Sequence, residues 1–386
     1  MTAYCDIIIK IKRCCININH GEYLIIGELT VENKAYLILQ NGEIYEGQRF
    51  GAGGVISAEL VFTTGMCGYL ETLTDPSYHG QIVLQTFPLI GNYGLIPADF
   101  ESPRPRLSGY IVREDCAVPS NFRCQGTLAD FLADNGVIGL RIKDTRKLTK
   151  VIREYGVMNA AIMSDIPADL PGFIQQLTDK QLSSDVYQVT CSKPQTLNPE
   201  GEKNIVLWDF GYKKGIADQL ISRGCKVTVL PAGSSADDII AQNPDGLLLS
   251  NGPGDPAEYT AIINELRLLC RENIPTFGIC LGHQLLALAQ GARTRKLHYG
   301  HRGCNQPVHD RQSGRLYITS QNHGYEVACD SLPDNAYLRF DNLNDGSCEG
   351  IDYLDIPAFS VQFHPEAKGG PLDTMFLFDR FLDTVK

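Results

Sequence analysis

A cysteine flanked by glycines stands where two apolar segments of different character meet. Ile274 to Ile279 has the composition of a buried strand, and Leu281 to Gln290 suits a helix. Gly278 and Gly282 lie two residues to either side of Cys280, which is the spacing of a strand–elbow–helix turn. Glycines permit a sharp turn, and the free N–H groups of a helix start favour a thiolate. The pattern predicts that Cys280 is a nucleophile, with inert packing as the alternative.

A thiol nucleophile also needs a base and a group that orients the base. The apolar run from Ala358 to Phe363 ends at His364, and Glu366 stands two residues further on. Alternate residues of an extended segment point to the same side, so Glu366 is placed to orient the imidazole of His364. Taken alone, such a pair after a strand is more typical of a loop.

Two polar segments offer contacts for a ligand. The segment Gly252-Pro253-Gly254 can bring the backbone N–H groups of its glycines against a ligand, as an oxyanion hole requires, but an ordinary Pro-Gly turn has the same composition. A strand is predicted at 316–319, and the cluster 321–325 after it could hold an amino-acid substrate. By composition alone this cluster is better predicted as a turn.

The elements that must position these residues alternate in type. Strand–helix alternation predicts a doubly wound, mainly parallel sheet over residues 204–386. Ligands bind beyond the carboxyl ends of such strands, so Cys280 and the segment Ser250 to Pro256 should face one crevice. The predicted strands are 205–210, 226–230, 246–250 and 274–279, and the predicted helices are 215–222, 235–242 and 257–271.

The N-terminal part predicts a separate mixed α/β domain over residues 34–190. Gln40-Asn41-Gly42 predicts a hairpin between strands at 35–39 and 43–45. Helices are predicted at 127–134 and 147–155, the second capped by Thr145. The polar, proline-containing segment 191–203 is predicted to be a linker. Residues 1–33 are predicted to be an extension whose order the sequence leaves open.

Composition excludes several classes of function. The chain has 386 residues and a net charge of −11 without a basic block, which argues against nucleic acid and anionic membranes as partners. No apolar run approaches the ~18 residues of a membrane span, and the N-terminus lacks the pattern of a signal peptide. The 13 cysteines are irregularly spaced without a Cys-x-x-Cys pair, which predicts a reducing compartment, the cytoplasm.

Several motifs, taken together, carry a family resemblance. Phe277–Gln284, Asn251–Pro256 and Phe363–Glu366 resemble the three signatures of class I glutamine amidotransferases. The resemblance extends over about residues 34–386 to the family of carbamoyl-phosphate synthetase small subunits. Its further motifs are Met66–Tyr69, Leu73–Tyr78, Ile90–Gly94, Asp144–Thr149, Trp208–Gly211, Gly300–Asn305 and Thr319–Tyr325.

The chain departs from the family pattern at two places. Gly65 and Cys67 stand where the family has Ser and Thr, and Arg141 to Lys143 stands where it has a shorter Gly-Ile segment. These departures bear on local packing or on a subunit interface, since neither touches the catalytic set.

The resemblance implies hydrolysis of L-glutamine to glutamate and ammonia through a cysteine thioester. It makes Cys280 the nucleophile, His364 the acid and base and Glu366 its orienting group, with the N–H groups of Gly252 and Leu281 as the oxyanion hole. The implied glutamine pocket is shared by both domains. Its residues would be Ser77, Gly252, Gly254, Leu281, Gln284, Asn322, Gly324 and Tyr325.

The resemblance also implies a partner. Ammonia would pass through a tunnel to a large subunit that uses ATP, Mg and bicarbonate to make carbamoyl phosphate for arginine and pyrimidine biosynthesis. The assembly would be a heterodimer or a higher oligomer. This chain shows no Walker-type phosphate loop, so it need not bind ATP itself. The resemblance implies no cofactor and no metal in this chain.

Other interpretations remain open at this point. His298, His301, Cys304 and His309 have spacings that occur in zinc sites, although the Gly, Arg and Asn residues around them favour an irregular loop. The chain could instead be another glutamine amidotransferase, a stand-alone glutaminase or a catalytically dead regulatory subunit. Lys213 and Lys214, with the apolar face of helix 257–271, could contact a large subunit. A solvated pair and a core face are the better interpretation.

Overall fold

The computed structural model describes residues 10–17, 23–30, 33–180 and 185–385. Strands β1 (Lys10–Asn17) and β2 (Tyr23–Thr30) pair as an antiparallel ribbon. Apart from these strands and Asn33, the predicted extension 1–33 lies outside the described residues.

The N-terminal part of the structure is built around a closed barrel. Seven strands close it in the order β10-β4-β3-β11-β5-β6-β8, and β7 pairs with β9 beside it. The strands are β3 (Lys34–Leu39), β4 (Ile44–Gly51), β5 (Ile56–Thr63), β6 (Gln81–Gln85), β7 (Leu89–Ile90), β8 (Gly109–Val112), β9 (Glu114–Asp115), β10 (Ile138–Arg141) and β11 (Met158–Met163). The helices are α1 (Tyr69–Thr74), α2 (Leu128–Asp134), α3 (Thr145–Tyr155) and α4 (Leu170–Asp179).

Local sequence signals account for several of these elements. The predicted hairpin at Asn41-Gly42 is confirmed, since β3 and β4 pair antiparallel and Gly42 has φ 90°. The predicted cap of α3 is wrong. The helix begins at Thr145 itself, and the Asp144 side chain accepts a hydrogen bond from the Lys147 N–H at 2.9 Å. Asp is the stronger N-cap because its carboxylate also complements the positive end of the helix.

The C-terminal part is a sheet in the order β12-β14-β13-β15-β16-β21-β20-β19-β17-β18. Its strands are β12 (Gln195–Leu197), β13 (Lys203–Asp209), β14 (Cys225–Pro231), β15 (Gly246–Leu249), β16 (Thr276–Ile279), β17 (Thr294–Asp310), β18 (Leu316–Val327), β19 (Ala336–Asn342), β20 (Cys348–Tyr353) and β21 (Ala358–Val361). Its helices are α5 (Lys214–Ile221), α6 (Ala236–Ile240), α7 (Thr260–Leu269), α8 (Leu281–Ala289) and α9 (Phe376–Thr384).

Short 3₁₀ turns occur in both parts of the chain, at Pro76–Tyr78, Pro97–Asp99, Val186–Gln188, Pro256–Glu258 and Cys329–Ser331.

Both faces of the parallel strands are covered by helices, as the prediction of a doubly wound sheet requires. Strands β14, β13, β15, β16 and β21 run parallel. Along β13, Val206 and Trp208 pack on one face with residues of α6, α7 and α8, and Ile205 and Leu207 pack on the other with α5 and α9. The alternation follows from the two-residue period of a strand.

Within the predicted linker 191–203, β12 pairs antiparallel with β14. One prediction about this part is wrong. The polar cluster 321–325 is not a turn but lies inside β18, which pairs with β17. Its polar composition is typical of a turn, but its polar side chains are buried and hydrogen-bonded. Within the described residues, no helix has the length and apolar character needed to cross a lipid bilayer.

The elbow helix α8 approaches β15 closely through a glycine, which gives a test of the fold. A Cβ on Gly282 would lie 2.3 Å from the Leu249 carbonyl oxygen. We expect Gly282→Ala to reduce the free energy of unfolding by about 3 kcal/mol, because the clash is with backbone that must shift. Gly53→Ala is the control, since the nearest atom there is 3.9 Å away. Equal denaturant midpoints for the two variants would contradict this packing.

Candidate active site

Cys280 occupies a strained elbow between β16 and α8. Its φ of 54° and ψ of −104° lie where residues with a side chain seldom go, and such strain is typical of functional sites. A Cβ on Gly278 would lie 2.8 Å from the Gly282 carbonyl oxygen, so the turn closes only with glycine there. The buried thiol lies 3.7 Å from the Asn322 carbonyl oxygen, to which it donates.

His364 and Glu366 follow β21 and form a fully buried pair. Nδ1 of His364 lies 2.7 Å from Oε1 of Glu366. Burial opposes ionisation of Glu366, but the Lys213 and His364 charges together lower the pKa of this carboxyl. Burial and Lys213 also oppose protonation of His364, yet the charge of Glu366 raises the pKa of its imidazole above the ordinary value. The arrangement therefore favours an imidazolium at His364.

Nε2 of His364 has no hydrogen-bond partner among the described residues. A buried ring nitrogen left unpaired is costly, so the position needs an explanation. A nitrogen that exchanges a proton with a nucleophile or with a bound substrate would be left without a partner in this way.

Lys213 is a site residue that the sequence analysis placed wrongly. Instead of being solvated or facing a partner, it is buried, and its Nζ lies 2.8 Å from Oε1 of Glu366. Burial disfavours the charged amine, but the carboxylates of Glu366, Asp75 and Glu101 raise the pKa of Lys213. A signal was available, because Lys213 follows the carboxyl end of β13 at the same edge as Cys280.

A cavity of about 290 Å³ opens beside Cys280, between the barrel and the sheet. Besides Cys280, it is lined by predicted glutamine contacts, namely Ser77, Gly252, Gly254, Gln284, Asn322, Gly324 and Tyr325. Leu281, the remaining predicted contact, is buried next to Cys280 and is not among the lining residues. Gly252 must be glycine, since a Cβ there would lie 2.3 Å from the Phe210 carbonyl oxygen.

Hydrogen bonds between the two parts of the chain hold this cavity together. The Asn251 side chain donates to Ser77 Oγ at 2.9 Å, and the Asn322 side chain donates to Asp75 Oδ2 at 3.0 Å. Asp75 in turn caps the turn that carries Ser77, accepting from the Ser77 N–H at 2.8 Å. Sequence analysis missed Asp75 and Asn251 as positioning residues, because their partners are distant in the chain.

The residues considered for zinc do not converge on one point. His298 contacts the Glu154 carbonyl oxygen, His301 contacts Asp345, Cys304 donates to the Gly369 carbonyl oxygen, and His309 contacts Asp341.

A different buried group has ligand-type atoms within 4.8 Å of one another, namely His301, His323 and Glu349. Protein groups already surround it. The Glu349 carboxylate accepts from Gln321 and Asn342, and His323 bonds to Tyr325 and Gln321. The group therefore fits a role in ordering β18, the strand that carries Asn322 and Gly324.

Comparison with known proteins identifies both parts of the chain. The family model for class I glutamine amidotransferases matches residues 206–384, and the model for the CPSase domain of the carbamoyl-phosphate synthase small chain matches residues 37–162. The carbamoyl phosphate synthase small chain of Staphylococcus epidermidis is 47% identical over 355 residues, which are 92% of this chain and 96% of that protein.

The corresponding protein of Clostridium perfringens is 47% identical, with 90% of this chain and 99% of that protein covered. Among solved structures, a glutamine amidotransferase from Thermotoga maritima is 18% identical with a TM-score of 0.35, covering 42% of this chain and 76% of that one.

Lys213 and its neighbour provide a matched test of the buried charge. We expect Lys213→Met to reduce the free energy of unfolding by about 3 kcal/mol, because Glu366 stays buried and loses one of its two cationic neighbours. Lys214→Met should change it by less than about 0.5 kcal/mol, since the exposed Lys214 only pairs with Asp218 on the helix surface. Chemical denaturation measures both, and similar losses in the two variants would contradict the buried pairing.

His301 gives a pH-dependent test. Burial disfavours its protonation, but Asp345 and Glu349 raise the pKa of His301 from 6.5 to about 9. Because the pKa of His301 is higher in the folded state than in the unfolded state, its protonation stabilises the fold. This stabilisation is complete below the unfolded-state pKa and is lost as pH rises through about 9.

We therefore expect His301→Gln to destabilise by up to about 3 kcal/mol near pH 6, with the difference from wild type shrinking toward pH 9.5. Denaturant titrations across this range measure it. A difference that stays constant or grows with pH would contradict the assignment.

Proposed function

The chain belongs to the carbamoyl phosphate synthase small-chain family and is a glutamine amidotransferase, and from this premise we propose that it cleaves L-glutamine through a thioester on Cys280 and passes ammonia to a large subunit. The observation that carries the proposal is the strained Cys280 elbow beside the buried His364–Glu366 pair. Cys280 faces a cavity large enough for an amino acid.

In the proposed reaction, the Cys280 thiolate attacks the side-chain amide carbon of glutamine. The N–H groups of Gly252 and Leu281 stabilise the oxyanion, and neither donates a hydrogen bond to another described group. The His364 imidazolium gives its proton to the departing nitrogen, so ammonia leaves and a thioester remains. Neutral His364 then takes a proton from water, which attacks the thioester and releases glutamate.

Glu366 and Lys213 contribute through His364. Glu366 accepts from Nδ1 and so fixes which ring nitrogen faces the reaction, and Lys213 keeps Glu366 ionised. Ser77, Gln284 and Tyr325 are proposed to bind glutamine together with Asn322 and the backbone at Gly252, Gly254 and Gly324. The pocket is complete only with residues from both parts of the chain.

A second, smaller cavity supports directed release of ammonia. It measures about 50 Å³, and its lining includes His364, Lys213, Cys67, Cys304 and Gly369. We call it the exit cavity. Asn322 lines both cavities, so it stands between the glutamine side and the exit side. In water at pH 7 ammonia would be protonated and would lose its nucleophilicity, and a sheltered route avoids this.

The proposed partner is a large subunit that uses ATP, Mg and bicarbonate to make carbamoyl phosphate. The assembly would be a heterodimer or a higher oligomer that serves arginine and pyrimidine biosynthesis, with no cofactor in this chain. We place it in the cytoplasm. The free thiols among its described cysteines fit a reducing compartment.

Cys280→Ser tests nucleophile, function and partner together. With a purified large subunit, ATP and bicarbonate, we expect the variant to lose carbamoyl phosphate synthesis from glutamine and to keep synthesis from ammonium salts. The reason is that a serine hydroxyl is far less nucleophilic than a thiolate at neutral pH. Product formation and glutamate release are measured in parallel.

Loss of ammonium-dependent synthesis as well would mean that the substitution damages the complex, and the nucleophile assignment would lose its support. If wild type released glutamate without carbamoyl phosphate, a different amidotransferase or a glutaminase would be indicated. Absence of any glutamine cleavage by wild type would favour a dead regulatory subunit.

A further inference from the structure

The exit cavity contains two thiols that come from the two parts of the chain. Cys67 lies between β5 and α1, and Cys304 lies on β17. Both donate to the carbonyl oxygen of Gly369, Cys67 at 3.4 Å and Cys304 at 3.2 Å. The two sulfurs therefore lie no farther apart than the sum of these distances. Neither thiol has a role in the proposed cleavage of glutamine.

The backbones that carry the two thiols are already in contact. The Thr64 N–H donates to the Arg302 carbonyl oxygen at 3.2 Å. A Cβ on Gly303 would lie 2.5 Å from Thr64 Oγ1 and 3.7 Å from the Gly65 nitrogen. Disulfides need Cβ atoms about 3.5–4.5 Å apart. A disulfide between Cys67 and Cys304 therefore requires side-chain rotation and movement of the segment 64–68.

The two thiols differ in access. Cys67 is exposed, whereas Cys304 is half-buried, and burial raises the pKa of the Cys304 thiol. An external reagent therefore meets Cys67 first, and Cys304 is placed to attack second.

We propose that Cys67 and Cys304 form a reversible disulfide across the exit cavity when a low-molecular-weight disulfide such as oxidised glutathione is present. The Cys67 thiolate attacks the reagent, forming a mixed disulfide and releasing one reduced thiol. The Cys304 thiolate then attacks the Cys67 sulfur and releases the second. Two protein thiols lose two electrons and two protons, and one reagent disulfide becomes two thiols.

The functional consequence rests on the proposed function. The bond would tie the segment 64–68 to β17 and replace two thiols that line a cavity of only about 50 Å³. The glutamine cavity and Cys280 lie on the other side of Asn322. Oxidation should therefore lower the yield of carbamoyl phosphate per glutamate released, while cleavage of glutamine continues.

The chemical test uses the full chain carrying Cys280→Ser, so that the nucleophile takes no part. After treatment with oxidised glutathione and alkylation of free thiols, peptide mass spectrometry should show a Cys67–Cys304 linked peptide that disappears with dithiothreitol. Cys67→Ser and Cys304→Ser should each abolish it. Cys116→Ser is the matched control and should leave it unchanged, because the half-buried Cys116 thiol donates within its own loop, to Val118.

The functional test treats the wild-type chain in the same way, removes the reagent and adds the large subunit. We expect the ratio of carbamoyl phosphate to glutamate to fall several-fold, to recover with dithiothreitol, and to stay constant in Cys67→Ser. Partial oxidation of Cys280 does not disturb this readout, since it reduces both products equally.

Glutathione adducts on Cys67 without a linked peptide would overturn the proposal. A linked peptide with an unchanged product ratio would overturn its functional consequence. If the complex cleaved no glutamine even before oxidation, the proposed function would fail, while the linked peptide would still decide whether the disulfide forms.

Discussion

The buried contact between Lys213, Glu366 and His364 is the interaction on which the site depends. Each member keeps the next one charged, since Lys213 holds Glu366 ionised and Glu366 favours the imidazolium of His364. Burying such charges is costly unless every member is paired. The arrangement is therefore intolerant of losing one member, and it delivers one unpaired ring nitrogen to the reaction side.

These three charged residues meet because parallel strands end at one edge of a sheet. Lys213 follows β13, Cys280 follows β16, and His364 and Glu366 follow β21. These positions are far apart in sequence, and the strand order brings their carboxyl ends together. The antiparallel strands beyond β21 add β18, whose buried polar residues form another wall of the cavity.

A second constraint is the contact between the barrel and the sheet. Asn251 and Asn322 hold Ser77 and Asp75, and the Glu101 carboxylate accepts from the Gly215 N–H at 2.8 Å. Glutamine binding, proton transfer and release of ammonia would all take place in space that neither part encloses alone. Under the proposed function, a change at this contact, such as a bond between Cys67 and Cys304, would therefore act on delivery of ammonia and leave Cys280 untouched.

The sequence by itself determined the residues whose roles are local. The glycines around Cys280 predict an elbow, the spacing of His364 and Glu366 predicts that the carboxylate orients the imidazole, and the strand–helix alternation predicts the parallel sheet. Sequence analysis placed Lys213 wrongly and gave Asp75 and Asn251 no positioning role, because the importance of all three comes from partners far away in the chain. The segment 321–325 was misjudged for a related reason. Its polar side chains suggest exposure until tertiary contacts supply their hydrogen bonds, and only the folded chain supplies such partners.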